Sequence, residues 1–158
     1  MSNEERLDKY SKKKGILFGI GQFSDAIASQ MFSIYVFTFY YAVVGLDVNL
    51  ITLGFILWSI WNAFNDPLLG ALSDRTKTKW GRRTPYILAS IIPLCIIMVL
   101  LWTPPTDSAL SSFIYFLVVM ALFDTFYTMY DLNYCALFPE MFQGLHNRAK
   151  ASAAKQIF

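Results

Sequence analysis

Long apolar runs separated by short clusters of charge constrain this chain more than any other feature. A helix crosses the hydrocarbon core of a bilayer in about 20 apolar residues. Four runs approach or exceed that length: residues 15–45, 50–72, 86–102 and 110–138. Hydrocarbon offers no water to backbone N–H and C=O groups, so a spanning segment satisfies them as a helix or in a closed barrel. Runs of this length predict helices. Composition agrees, with 15% charged and 56% hydrophobic residues, against about 25% charged in an average soluble domain. The expected fold class is an all-α polytopic membrane protein. A fifth helix is expected from about Asn147, and Phe158 follows before it could cross. Residues 15–158 therefore read as a partial N-terminal transmembrane bundle behind a tail at 1–14, the front piece of something longer.

The basic residues predict orientation. Arg6, Lys9, Lys12, Lys13 and Lys14 lie in the tail, and Arg75, Lys77, Lys79, Arg82 and Arg83 between spans two and three. Arg148, Lys150 and Lys155 follow span four. These are all thirteen Lys and Arg residues, and the loops near Asp47 and Asp107 hold none. The positive-inside rule then places the N-terminus in the cytoplasm of a multi-pass protein of the cell (plasma or inner) membrane. The run after the tail is too long for a signal h-region, so it reads as an uncleaved span.

Several function classes are disfavoured. A net charge of +2 is too small to point to nucleic acid. No nucleophile–base pair, metal-ligand spacing or phosphate-binding glycine loop is present, and the single histidine, His146, lies in a loop. The chain therefore reads as neither an enzyme nor a cofactor binder. Gly19 and Gly21 read as helix-packing positions, and Cys95 and Cys135 as small core residues.

Four acids fall inside the expected spans: Asp25, Asp66, Asp124 and Asp131. A carboxylate at the centre of a spanning helix costs roughly 2.5–3.5 kcal/mol on insertion scales, so such groups face a protein interior or a wet cavity. At about 100° per residue, Gln22, Asp25, Ser29 and Ser33 share one stripe of span one. Trp58, Asn62, Asn65 and Asp66 share one on span two, and Asp124, Thr128, Asp131 and Cys135 one on span four, with Tyr127 and Tyr134 beside it. Three polar seams imply a common hydrated cavity. Span three, PYILASIIPLCIIMVLLW, has none and is expected to face lipid. Pro67 cannot donate to the carbonyl of Ala63, which frees that oxygen or kinks the helix. A carboxylate, two amides and a freed carbonyl are hard oxygen ligands suited to a small cation or a proton.

The segments FGIGQFSDA, WNAFNDPLLGALSDRTKTKWGRRTPY and YTMYDLNYCALFPEM resemble the glycoside–pentoside–hexuronide:cation symporters, the melibiose-permease branch of the major facilitator superfamily. The likeness runs from about Phe18 to the end. It implies twelve helices in two halves, of which this chain is helices one to four and the start of five. It also implies symport of a sugar or glycoside with a proton or sodium ion, in a bilayer, with a site completed by the missing C-terminal half. By position, the resemblance assigns Asp66, Asn62, Asn65, Thr128 and Asp131 to the cation and Asp25, Tyr127, Asp131, Trp58 and Cys135 to the substrate. Gly70, Asp74, Arg75, Arg82 and Arg83 match a cytoplasmic gating motif. Sodium-using members carry Asp where this chain has Asn62; the lost charge weakens sodium binding, so the expectation is proton coupling, or sodium held with help from Asp124. Two other readings stay open: a carrier of a different solute, lipid-like or anionic, on the same fold, and a non-transporting membrane sensor or assembly partner.

Overall fold

The computed structural model describes residues 12–79, 81–142 and 152. The tail to residue 11, His146 and, apart from the helical Ser152, the helix expected from Asn147 lie outside the described residues. Among the described residues four long helices follow one another: α1 Lys12–Ala42, α2 Val48–Arg75, α3 Thr84–Leu101 and α4 Ala109–Met141. Three are long and apolar enough to cross a membrane, over Val48–Arg75, Thr84–Leu101 and Ala109–Pro139. At 31 residues α1 is long enough, but Gln22, Ser24, Asp25, Ser29, Gln30 and Ser33 dilute its apolar character.

Local chemistry sets the helix ends. After α1, Gly45 takes the left-handed conformation (φ 75°), which a side chain would resist, and the Leu46 N–H returns to the Tyr40 carbonyl at 3.0 Å. Asp47 then caps α2 by accepting from the Asn49 N–H at 2.8 Å. Pro85 stands in the first turn of α3, where the missing N–H costs nothing.

The described chain divides into two compact units, residues to Phe32 with those from Ala136, and Ser33–Cys135. In the first, Phe18 packs against Phe138 and Phe142 with ring centroids 5.2 and 6.3 Å apart. The second is built around Val36, Tyr40, Ile51, Leu101, Phe116 and Met120, all fully buried. Tyr40 meets Phe116 at 4.5 Å and donates its hydroxyl to the Leu101 carbonyl at 3.1 Å, so its polar end is satisfied. Gly54 lets α2 approach α4 closely, since a Cβ there would collide with the Phe116 ring.

Large apolar side chains cover the outside. On α3, Leu88, Ile91, Ile92, Ile96 and Val99 are exposed while Ser90, Ile97 and Leu101 are buried. In water such a surface would aggregate; against acyl chains it costs nothing. The same reasoning corrects the expectation for the cysteines. Neither Cys95 nor Cys135 is in a disulfide, and both are exposed in this chain rather than packed in its core, because in a membrane protein apolar character is not tied to burial.

Candidate functional site

The polar stripes of α2 and α4 meet inside the second unit. Asp124 is buried, and each of its oxygens receives one N–H from α2: Trp58 Nε1 donates to Oδ1 at 3.0 Å and Asn65 Nδ2 to Oδ2 at 3.0 Å. Trp61 Nε1 donates to Thr125 Oγ1 at 3.2 Å. Further along both helices, Thr128 Oγ1 donates to Asp66 Oδ1 at 3.0 Å. Asn62, with its amide oriented to satisfy its neighbours, donates to both Asp66 oxygens at 2.9 and 2.8 Å. From Trp58–Asp124 at one end to Asp66–Thr128 at the other, position rises on both helices, so α2 and α4 run the same way.

Electrostatics explain the arrangement. A carboxylate withdrawn from water needs charge-assisted hydrogen bonds to persist. Asp66 has three N–H or O–H contacts and Asp124 has two, all from the facing helix or one turn away. A carboxylate offers about four acceptor positions, so both keep capacity for a further positive partner. Against Asp66, the Asn62 amide and the Thr128 hydroxyl can turn their oxygens inward, a donor set that fits a hard cation or a proton.

The other expected site residues are held differently. Asp131 is half-buried, and Cys135 Sγ on its own helix donates to Oδ1 at 3.2 Å. Tyr127 stacks on Phe123 at 5.5 Å and 11°, and Tyr130 on Tyr134 at 5.3 Å and 13°. Asp25, buried in the first unit, accepts from Gln22 Nε2 at 3.0 Å. The structure thus joins Asn62, Asp66 and Thr128 directly. It also ties Trp58 and Asn65 to Asp124, an acid of the span-four stripe to which the sequence assigned no fixed role. The stripes were visible in the spacing of residues, but which side chain on one stripe meets which on the other was not.

In the loop after α2, Arg83 pairs with Asp74 at 3.4 Å. The Thr76 and Tyr86 hydroxyls lie 2.6 Å apart, and each also reaches the Leu72 carbonyl, at 2.9 and 3.3 Å. Arg75 closes the last turn of α2, where a cation suits the helix dipole. At Gly70 a Cβ would meet open space, so no close contact inside the described residues requires glycine there.

A family model described as MFS/sugar transport protein matches residues 17–158. The chain belongs to this family. Its relatives include an uncharacterized symporter of Synechocystis, 31% identical over all of this chain and 30% of the relative. An inner membrane symporter of Escherichia coli is 30% identical over 80% of the chain and 28% of the relative. The isoprimeverose transporter of Lactiplantibacillus pentosus is 25% identical over 89% of the chain and 29% of the relative. The chain thus spans less than a third of the length of these relatives. Family and apolar helices together make it an all-α, multi-pass membrane protein of the major facilitator superfamily.

Proposed function

We propose that this chain forms the opening part of a carrier that moves a sugar or glycoside together with a proton or sodium ion by alternating access. The carrying observation is the Asp66 cluster: a carboxylate in a membrane helix, surrounded by Asn62 and Thr128, whose oxygens can replace water around a cation. Family membership supports transport, two relatives' names state symport, and a third's names a sugar.

In this reading a cation on Asp66, Asn62, Asn65, Thr128 and Asp131 neutralises the carboxylates and allows sugar to enter. Asp131, Asp25 and Tyr127 take the sugar hydroxyls. Trp58 offers an aromatic face while its N–H remains on Asp124, and Cys135 lies beside Asp131. Because linkage is reciprocal, each ligand raises the other's affinity by the same factor. Asp74 and Arg83 hold the loop on the cytoplasmic side, where the basic residues place it, with Gly70, Arg75 and Arg82 in the same motif. The remaining helices of the carrier complete the cavity.

The test is uptake of labelled sugars, isoprimeverose among them, into vesicles holding the complete carrier. An imposed proton or sodium gradient should drive accumulation. Asp66→Asn and Asp131→Asn should each abolish it while both proteins still reach the membrane. Normal accumulation by both variants would remove the site assignment.

A further inference from the structure

We propose that Asp124 is a positioning residue for the cation site, acting through Asn65. The inference rests on the symport reading above. An amide side chain has one oxygen and one nitrogen, and only the oxygen can coordinate a cation. Left free, the Asn65 amide could present either group. Asp124 decides which. Its Oδ2 accepts from Asn65 Nδ2 at 3.0 Å, and both residues are buried, at 4% exposure each. The nitrogen is thereby committed to α4, and Oδ1 of Asn65 is left as the group available for coordination.

The other half of the Asp124 carboxylate makes the hold firm. Oδ1 accepts from Trp58 Nε1, and an indole N–H can only donate. With one donor on each oxygen, the carboxylate cannot rotate without breaking a bond on one side. Trp58 and Asn65 lie seven residues apart, two turns along the same face of α2, so one carboxylate braces both ends of that stretch. Asn62 falls between them, one turn from each. Asp124 thus sets the rotation of the part of α2 that carries the cation ligands without having to touch the ion. An isosteric amide at position 124 could not do this: with its nitrogen toward Trp58 it would set an N–H₂ against an N–H, and with its nitrogen toward Asn65 it would draw the Asn65 oxygen away from the ion.

The test uses the complete carrier in vesicles, with rates normalised to the amount of carrier in the membrane. The half-saturating cation concentration is measured, for sodium and for protons, alongside the maximal rate at saturating cation. Asp124→Asn should raise the half-saturating concentration about tenfold, the factor expected for one lost charge-assisted hydrogen bond. The maximal rate should fall much less. Asn65→Ala should produce a similar shift, and the double variant should add no more than about a further factor of two, because both act on one ligand. Multiplying effects, near a hundredfold in the double variant, would overturn the inference. So would a lowered carrier amount with an unchanged half-saturating concentration, since a residue that only supports folding behaves that way. If Asp124→Asn fails to reach the membrane, Asp124→Glu decides: a raised half-saturating concentration supports positioning and an unchanged one overturns it. A wild-type carrier without cation dependence would overturn the symport reading and this inference together. Cation dependence indifferent to position 124 would overturn the inference alone.

Discussion

Thr128→Val examines the cation site at its simplest contact. The Thr128 hydroxyl is buried and donates to Asp66 Oδ1 at 3.0 Å. Valine keeps the branched shape and removes only the hydroxyl. A hydrogen bond to a charged group contributes about 1.5–3 kcal/mol in soluble proteins. Interhelical bonds in membranes average about 0.6 and reach about 1.7 kcal/mol. Asp66 retains both contacts from Asn62, so its carboxylate is not orphaned and the membrane range applies. That range corresponds to a change of about 3- to 18-fold in an equilibrium. The direction follows from the loaded state. With the ion bound, the hydroxyl turns its oxygen inward as a ligand, and valine has no oxygen to offer. The half-saturating cation concentration for gradient-driven uptake should rise by that factor, with Thr128→Ser close to wild type. A valine variant at or below the wild-type constant would refute the reasoning. So would a serine variant as impaired as valine, since the methyl group rather than the hydroxyl would then matter.

Two further outcomes are expected beside those for Asp66, Asp131 and Asp124. Asn62→Asp places a second carboxylate against Asp66, where the amide now donates at 2.8–2.9 Å. Adjacent like charges favour capture of a cation, so the half-saturating sodium concentration should fall, and sodium titration of uptake at fixed pH would detect no shift if Asn62 plays no part. Gly54→Val drives a side chain into the Phe116 ring; overpacking of this kind costs about 1–3 kcal/mol, and thermal unfolding in detergent should show a lowered midpoint, an unchanged one arguing against the α2–α4 contact.

Much of the architecture was legible in the order of residues, for a physical reason. Hydrocarbon leaves a chain few ways to satisfy its backbone, so apolar runs of sufficient length bounded by Gly45 and Asp47, or by Arg75 and Pro85, become helices. The same solvent makes intramembrane acids conspicuous, which is why Asp66 and Asp131 stood out without coordinates. Helical period then placed Trp58, Asn62 and Asn65 on the stripe of Asp66, and Thr128 on that of Asp131. Period says nothing about the register of one helix against another. That register depends on where backbones can approach, and here Gly54 against Phe116 permits the contact. Only the tertiary structure therefore decided that Thr128 meets Asp66, and that Asp124 takes Trp58 and Asn65 instead. It also decided that Cys95 and Cys135 are exposed in this chain and not packed in its core, which spacing along one helix does not settle. One-dimensional spacing determines which side chains share a face. Which faces touch, and at what height, is settled by packing between segments far apart in the chain.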